Sequence, residues 1–331
     1  MAKTVLVTGA NGFTGSYLCK GLLERGDQVR ALVRRSSDVS LLRELEVEYV
    51  YADLANGDLT TLRAAMRGVD IVYHVAAAYR KEGVPPDYFR KVNVEGTHNV
   101  LDAAARAEVG RFVHCSTVGV QGEIKHPPAT EESPYSPGDV YQDSKLEGEK
   151  LARDFFRENN LPGTVVRPVG IYGPGDMRFL KLFKFVNNGK FRMLGNGQVL
   201  YHLTFVEDLV SGIILAGDLE QSIGEVFTIG GSEFTTLQEL VRRLAVVLKV
   251  PVPQKRFPVW PVYYAGWMCE LLCRPLGIEP PLYRRRVDFF IKDRAFDISK
   301  ARRMLGYQPK VDLDTGLKIT ADWYRAQGLL N

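Results

Sequence analysis

Thr4-Val5-Leu6-Val7-Thr8-Gly9-Ala10-Asn11-Gly12-Phe13-Thr14-Gly15 is the stretch that decides the fold. Its first five residues are typical of a strand buried in a parallel sheet, and the glycines follow at once. Leucines four residues apart after Gly15 predict a helix. Strand, glycine loop and helix in this order open a dinucleotide-binding fold. We expect Gly9 to allow the tight turn, Gly12 to let a pyrophosphate approach, and Gly15 to let the helix lie close to the strand.

The first half of the chain goes on alternating between strand and helix patterns. Further strands are predicted at residues 28–33, 48–51, 71–75, 111–115 and 163–167, and helices at residues 59–66, 89–107 and from Tyr141 onward. Strands that alternate with helices in this way form an α/β fold with a doubly wound parallel sheet of the Rossmann type. The pattern therefore predicts one sheet with helices on both faces.

The second half is less regular and is predicted to bind the substrate. After Arg167, proline, glycine and aromatic residues become more frequent, which is typical of segments grafted onto the carboxyl edge of such a sheet. Residues 1–170 are expected to form the dinucleotide-binding domain, and residues 171–331 mainly a smaller substrate-binding domain. The patterns at 201–208 and 225–229 predict returns to the core fold, so the smaller domain is interleaved with the larger one.

Composition indicates a soluble enzyme that binds small molecules. Of 331 residues, 45% are hydrophobic and 25% charged, which is enough for a sizeable core. The 43 lysines and arginines nearly balance 39 acids and are dispersed, so no nucleic-acid partner is expected.

Four cysteines show neither metal spacing nor a disulfide framework, so we predict no metal site and a reducing compartment. A strand within four residues of the N-terminus leaves no room for a signal peptide. We expect a cytoplasmic homodimer.

Tyr141 and Lys145 are the candidate catalytic pair. Residues four apart lie on one face of a helix, so the Lys145 ammonium can favour the Tyr141 phenolate and lower the pKa of the phenol. An unassisted phenol has a pKa of about 10 and stays protonated at neutral pH. The same spacing also occurs on solvated helix faces, so its context in the chain has to support it.

A basic residue follows the second strand, where a dinucleotide fold usually places an acid that binds the ribose 2′-hydroxyl. Arg34 stands nineteen residues beyond Gly15, and its guanidinium suits a 2′-phosphate. The predicted cofactor is therefore NADP(H). Asp38 lies nearby and keeps NAD(H) open as the alternative.

Several motifs in order resemble the extended short-chain dehydrogenase/reductase superfamily nearly from end to end. They are the loop 8–15, Asp53-Leu54, His74-Val75-Ala76-Ala77, Ser116-Thr117, Tyr141 to Lys145, the stretches 167–174 and 204–208, and the tail motifs at 296–301 and 305–307. The resemblance implies that Tyr141 is the acid/base, that Lys145 holds the nicotinamide ribose, and that Thr117 orients the substrate oxygen. Ser116 is the rival to Thr117. Because neighbours in a strand point opposite ways, only one of the two hydroxyls can face the substrate.

The resemblance also extends the cofactor site. Asp53 and Leu54 resemble the contacts to the adenine edge, and Pro168 to Gly170 resemble the wall beside the nicotinamide. The residues expected to contact the cofactor are Gly9, Asn11, Gly12, Phe13, Thr14, Gly15, Arg34, Asp53, Leu54, Val75, Ala76, Ala77, Ser116, Tyr141, Lys145, Pro168 and Gly170.

Two departures from the family bear on the substrate. Nucleotide-sugar epimerases and dehydratases of the superfamily usually carry asparagine at the position of Gly170 and arginine at that of Tyr201. The stretch 170–176 looks more like the 3β-hydroxysteroid dehydrogenase and dihydroflavonol reductase branch, which implies hydride transfer at a hydroxyl or keto carbon of a small hydrophobic substrate. An epimerase or dehydratase with tightly bound NAD(P), helped by basic residues from Arg178 to Arg192, stays an alternative. A non-catalytic dinucleotide sensor is another.

An aromatic segment at 257–283 precedes Arg284-Arg285-Arg286. It is too short and too broken by Pro261, Glu270 and Pro275 to span a membrane. The pattern favours a buried amphipathic helix with a charged edge, and contact with a membrane interface is the alternative.

Overall fold

A computed structural model describes residues 2–56, 58–79, 84–273 and 284–330 of the chain. Its centre is a sheet of seven parallel strands in the order β10-β6-β5-β4-β1-β2-β3. These strands are β1 Thr4–Thr8, β2 Gln28–Val33, β3 Glu48–Tyr51, β4 Ile71–His74, β5 Arg111–Cys115, β6 Gly163–Pro168 and β10 Val226–Ile229. The predicted doubly wound parallel sheet is confirmed.

Twelve helices are described in the ranges given above. They are α1 Phe13–Glu24, α2 Leu59–Met66, α3 Pro86–Arg90, α4 Gly96–Arg106, α5 Val140–Glu158, α6 Leu180–Asn187, α7 Val206–Asp218, α8 Leu237–Leu248, α9 Val259–Cys273, α10 Arg284–Ile291, α11 Ser299–Leu305 and α12 Leu313–Ala326. One face of the sheet carries α1, α7 and α11, and the other carries α2, α4 and α5. Side chains alternate along β1 accordingly: Val5 and Val7 belong to the first core, and Leu6 to the second.

The helix predicted over 89–107 is interrupted. α3 ends at Arg90, a π-helical turn covers Lys91–Glu95, and α4 then begins at Gly96. Asn93 lies in this turn, and its amide exchanges hydrogen bonds with the backbone of Ala78, at 2.7 and 3.1 Å. A π-turn of this kind is frequent near functional sites, because it turns one side chain inward at the cost of helical regularity.

The smaller part of the molecule is built on short strands. β7 Gly170–Tyr172, β9 Leu200–Phe205 and β11 Phe234–Thr236 form a three-stranded sheet, and β8 Met193–Leu194 pairs with β12 Arg256–Phe257. Within the predicted return to the core fold over 201–208, β9 pairs with β7 and β11 and not with the central sheet. The returns to the core are α7 and β10. The division at residue 170 stays a prediction.

Helix α9 does not have the predicted burial. Six of its large side chains are between 44% and 67% exposed, namely Trp260, Tyr264, Trp267, Met268, Leu271 and Leu272. The helix packs against α10, where Glu270 accepts two hydrogen bonds from the guanidinium of Arg284. Its apolar side chains lie all round its axis, so one contact face cannot cover them. Residues 274–283 of the predicted segment lie outside the described residues. Among the described helices none has the length and apolarity that crossing a membrane requires.

Candidate active site

Apart from Tyr141 and Lys145 on α5, the predicted site residues lie at the ends of six neighbouring strands of the central sheet. The loop Gly9–Gly15 follows β1, Arg34 follows β2, Asp53 and Leu54 follow β3, Val75, Ala76 and Ala77 follow β4, Ser116 and Thr117 follow β5, and Pro168 and Gly170 lie at the end of β6 and the start of β7. Because these strands are parallel, their carboxyl ends share one edge of the sheet. Ligands of such sheets bind in the crevice outside this edge.

The glycine loop forms a cradle that side chains would fill. Gly9 has φ +67°, and a Cβ there would lie 2.7 Å from the Cα of Ala76. A Cβ on Gly15 would lie 2.1 Å from the carbonyl oxygen of Gly9. Gly12 caps the N-terminus of α1 without a side-chain hydrogen bond, which leaves backbone N–H groups for an anion. The loop therefore fits the pyrophosphate of a dinucleotide.

At the adenosine end, the candidate acid is already engaged. Asp38 accepts a hydrogen bond from the Ser40 N–H at 2.9 Å, and this bond lowers the pKa of the Asp38 carboxyl. Asn11 is tied to the same loop, because its side-chain amide donates to the Asp38 carbonyl at 3.1 Å. Arg34 is exposed, and its guanidinium has no partner among the described residues. The loop thus presents a free cation and an occupied carboxylate.

Asp53 and Leu54 are both held by hydrogen bonds at the end of β3. The Asp53 carboxylate accepts a hydrogen bond from the Ala55 N–H at 3.0 Å and so closes its own turn. Leu54 is buried, and its carbonyl accepts a hydrogen bond from the Asn99 side chain at 2.8 Å. This geometry fixes the backbone at the predicted adenine edge.

Lys145 is held at the end of β5. Its side chain is buried, and Nζ donates a hydrogen bond to the Cys115 carbonyl at 2.8 Å. Burial lowers the pKa of the Lys145 ammonium. An ammonium has three N–H donors, so this one bond leaves two for a ribose or for the catalytic phenol.

Tyr141 lies half-buried in the first turn of α5. Asp139 caps this helix by accepting a hydrogen bond from the Gln142 N–H at 2.8 Å, which fixes the turn that carries the tyrosine. The Tyr141 ring meets the Tyr79 ring edge to face, with centroids 5.1 Å apart. Tyr79 is exposed at the same sheet edge, and the sequence patterns did not identify it.

The structure separates Thr117 from its rival Ser116. The Ser116 hydroxyl is buried and donates to Glu149 at 2.6 Å, so it faces into the protein. Thr117 is half-exposed, and its hydroxyl accepts a hydrogen bond from the Gly119 N–H at 3.1 Å. That bond leaves the Thr117 hydroxyl proton for a substrate oxygen. This geometry supports Thr117 as the hydroxyl that contacts substrate.

Buried polar side chains support the site, and sequence reasoning missed them. Glu149 follows Lys145 by four residues on α5 and bonds to both Ser116 and Arg167. Burial alone would raise the pKa of the Glu149 carboxyl, but the bonds and charge of Arg167 lower it below the ordinary value. The only local signal was a charged residue one turn beyond Lys145, on the helix face that is buried.

The two positions at which the family would hold a nucleotide are closed. A Cβ on Gly170 would lie 2.7 Å from a methyl carbon of Leu203. Tyr201 is 5% exposed, and its hydroxyl bonds to the Phe289 carbonyl and to Arg294. His202 is also buried, with its imidazole bonded to the Gly231 carbonyl.

Two of the basic residues weighed as diphosphate contacts, Arg178 and Lys181, have different surroundings. Arg178 lies over the rings of Phe13 and Tyr79 and so borders the site. Lys181 instead lies over Phe185 on the exposed side of α6. A separate cleft of about 500 Å³ opens beside the far end of α5, and neither Tyr141 nor Lys145 lines it.

Comparison with known proteins identifies the family. The model of the "NAD dependent epimerase/dehydratase family" matches residues 5–230. A 2-alkyl-3-oxoalkanoate reductase of Stenotrophomonas maltophilia is 31% identical over 95% of this chain and 97% of its own. A decarboxylating sterol-4-alpha-carboxylate 3-dehydrogenase of Mus musculus is 30% identical over 96% and 90%. A UDP-glucose 4-epimerase of Vibrio cholerae is 30% identical over 97% and 95%.

Solved structures show the same fold over the whole chain. The crystal structure of gox2253 superposes with a TM-score of 0.85 at 33% identity, covering 99% of this chain and all of that chain. A dTDP-glucose 4,6-dehydratase of Streptomyces venezuelae, with NAD and TYD bound, gives 0.78 at 27% identity and 99% coverage of both chains. The chain therefore belongs to the NAD-dependent epimerase/dehydratase family, within the extended short-chain dehydrogenase/reductase superfamily, and is an enzyme that transfers hydride with a nicotinamide dinucleotide, as an oxidoreductase or an epimerase.

Proposed function

We propose that the protein is an NADP(H)-dependent oxidoreductase that interconverts a hydroxyl and a keto group on a small hydrophobic substrate. The observation that carries this choice is the burial of Tyr201 together with the contact between Gly170 and Leu203. Relatives that act on nucleotide sugars usually use these two positions to hold the nucleotide. Here both are taken up by internal packing, which argues against a nucleotide-sugar substrate.

The catalytic residues in this proposal are Thr117, Tyr141 and Lys145. A bound nicotinamide ring supplies or accepts the hydride. As the hydroxyl carbon of the substrate loses its hydride, Tyr141 removes the hydroxyl proton, and in the reverse direction it returns that proton to the oxygen. Lys145 lowers the pKa of the phenol and binds the ribose, and Thr117 holds the same substrate oxygen.

Support for NADP(H) over NAD(H) comes from the loop after β2. The Arg34 guanidinium is unengaged by described residues, whereas Asp38 is turned toward the Ser40 N–H. A guanidinium forms paired, charge-assisted hydrogen bonds with a phosphate, and an engaged carboxylate is poorly placed to accept from a ribose hydroxyl.

The names of two relatives narrow the substrate further. One acts on a 2-alkyl-3-oxoalkanoate and the other on a sterol-4-alpha-carboxylate at carbon 3. In both names a carboxylate stands one carbon away from the oxygenated carbon. A carboxylate attached to the carbon next to the reacting carbon therefore belongs among the candidate features of the substrate of this chain.

A steady-state assay tests the proposal. Sterols, flavonols, aryl ketones and 3-hydroxy acids are compared with UDP- and GDP-sugars, using nicotinamide absorbance and melting temperature. We expect a stoichiometric absorbance change with the first set and no shift in melting temperature with the second. Tight UDP binding with sugar interconversion and no net cofactor turnover would establish the epimerase alternative. Cofactor binding without any turnover would establish the sensor.

We also propose that the exposed helix α9 contacts a lipid surface from which an apolar substrate is drawn. Its exposed tryptophans and leucines suit the boundary between headgroups and acyl chains, and Arg285 and Arg286 follow in sequence as further cations beside Arg284, which pairs with Glu270. Flotation with vesicles containing anionic lipid should recover the protein, and the Trp260→Ser/Leu272→Ser variant should not float.

A cytoplasmic homodimer stays part of the proposal, and light scattering after size exclusion tests the dimer.

A further inference from the structure

Arg178 is fixed in the loop that follows β7. Its Nε donates to the Asp176 carboxylate at 2.6 Å, and its Nη2 donates to the Ile171 carbonyl at 2.9 Å. Asp176 is buried, and its carbonyl accepts a hydrogen bond from Tyr324 of α12. Tyr17 of α1 holds the same loop by donating to the Pro174 carbonyl at 2.9 Å. The guanidinium is therefore preorganised between the two halves of the molecule.

The guanidinium borders both the glycine loop and the catalytic tyrosine. Its carbon lies 5.5 Å from the centroid of the Phe13 ring and 5.8 Å from that of the Tyr79 ring. Tyr79 in turn contacts Tyr141, so the same aromatic ring touches both the cation and the acid/base. Burial acts to lower the pKa of Arg178, but Asp176, Tyr79 and Tyr141 together raise it, which places Tyr141 within electrostatic reach.

Some N–H groups of the Arg178 guanidinium have no acceptor in the described part of the chain. A guanidinium has five N–H groups, and the two bonds above leave three of them, on Nη1 and Nη2, without an acceptor in the described part of the chain. Because the side chain is 37% exposed while its partner Asp176 is 1% exposed, the guanidinium edge without acceptors is the one expected to face outward. This edge can hold both oxygens of a carboxylate.

We propose that Arg178 binds a carboxylate of the substrate, which makes the substrate a 3-hydroxy or 3-oxo carboxylic acid with a hydrophobic remainder. Because the Tyr79 ring contacts both the Arg178 guanidinium and the Tyr141 ring, the arrangement suits an acid in which few bonds separate the carboxylate from the reacting carbon. The oxidation stays balanced without a further reactant, because the hydride passes to the cofactor and the hydroxyl proton to Tyr141. This inference rests on the proposed oxidoreductase function.

The cofactor phosphates are another possible source of an anionic oxygen for this free edge. The guanidinium lies over Phe13, and Phe13 belongs to the glycine loop that is expected to hold the pyrophosphate. The substrate is favoured because Arg178 comes from the loop after β7 and lies against Tyr79, at the Tyr141 end of the site. The backbone at the start of α1 already provides the donors for a pyrophosphate.

The test compares 3-hydroxyoctanoate with its methyl ester in wild type, Arg178→Gln and Arg178→Lys. Lys181→Gln is the matched control, because it removes a cation three residues away that lies on Phe185. Affinity is measured by calorimetric titration in the presence of NADPH, with which the hydroxy acid and its ester cannot react, and kcat/KM is measured with NADP⁺ by nicotinamide absorbance. Wild type should favour the acid by about 10- to 100-fold, as expected for a hydrogen-bonded charge pair. Arg178→Gln should bring the ratio near one through KM, Arg178→Lys should give an intermediate ratio, and Lys181→Gln should leave the ratio unchanged.

Several results would overturn the inference. Equal affinity of wild type for acid and ester would do so, as would equal losses on both ligands in Arg178→Gln. A weaker affinity for NADP⁺ in Arg178→Gln with an unchanged acid-to-ester ratio would assign the guanidinium to the cofactor phosphate. If Arg178→Gln is unstable, Arg178→Lys carries the same comparison. Turnover of neutral ketones without acid preference would refute the carboxylate site alone, whereas no turnover of any compound would refute the proposed function.

Discussion

Arg167 and Glu149 form a completely buried ion pair behind the catalytic residues. Arg167 Nε lies 3.0 Å from Glu149 Oε2, and its Nη2 lies 2.6 Å from Oε1. Arg167 is the penultimate residue of β6, Glu149 stands one turn beyond Lys145, and the Ser116 hydroxyl bonds to the same carboxylate. One buried charge pair therefore joins β6, α5 and the end of β5, which are the three elements that position Tyr141, Lys145 and Thr117.

Glu149→Gln should destabilise the fold strongly. The amide keeps the shape of the side chain but leaves the Arg167 charge buried without compensation, and such losses cost about 3–5 kcal/mol. Urea unfolding followed by fluorescence measures the change. The matched control is Asp322→Asn, which breaks exposed pairs with Lys318 and Arg325, and exposed pairs contribute about 0–1 kcal/mol each. Equal effects of the two substitutions would show that the buried pair is not a structural support.

Tyr141→Phe should abolish turnover and leave cofactor affinity nearly intact. The phenyl ring can still meet Tyr79, and only the oxygen that transfers the proton is lost. Loss of a general acid/base costs about 10²–10⁴ in rate. Steady-state absorbance measures kcat, and a fluorescence titration measures the Kd of NADPH. A variant that keeps more than about a tenth of kcat would contradict the assignment of Tyr141.

Arg34→Asp should shift preference from NADP(H) toward NAD(H). The new carboxylate can accept from a ribose 2′-hydroxyl and repels a 2′-phosphate. Titration with both cofactors gives the ratio of their dissociation constants. Arg35→Asp is the control, because Arg35 lies over the Tyr51 ring. If Arg34→Asp leaves the ratio unchanged, Arg34 is merely solvated and the enzyme uses NAD(H).

The sequence predicted the elements that carry strong local patterns. The bounds of β1, β2, β3 and β5 match the predictions, because short apolar runs ended by polar or glycine residues define buried parallel strands. The common edge of the site followed from the same strands. The pairing of Arg167 with Glu149 could not be predicted, because the two residues lie on different elements. Nor does the alternating pattern of 201–205 show that β9 pairs with β7 rather than with the core sheet.

Stability should fall as the pH falls below about 6.5. Burial lowers the pKa of His74 to about 3 and that of His114 well below its ordinary value, so both stay neutral in the folded protein while the unfolded chain binds protons. Because the unfolded state then binds more protons, the free energy of unfolding decreases with falling pH, by up to about 1.4 kcal/mol per unit for each histidine.

The two histidines differ in a way that gives a direct test of this slope. His74 bonds to Thr8 and Thr97, whereas neither ring nitrogen of His114 has a partner among the described residues. His114→Leu should therefore flatten the pH dependence of unfolding between about pH 5 and 6.5 without a large loss of stability. The exposed His126→Gln serves as control. An unchanged slope in His114→Leu would show that other groups cause the acid sensitivity.

Restoring the family residues, Gly170→Asn with Tyr201→Arg, should not create affinity for UDP. A Cβ at residue 170 meets Leu203 at 2.7 Å, so the asparagine costs about 1–3 kcal/mol as overpacking. The arginine would lose the Tyr201 hydroxyl bond to Phe289 and would stand beside Arg294. Calorimetric titration with UDP should be flat in the double variant. Adding Leu203→Ala should raise the melting temperature of that variant again without producing UDP binding. Micromolar UDP affinity in the double variant would show instead that the two departures alone exclude nucleotides, and it would return the nucleotide-sugar alternative to first place.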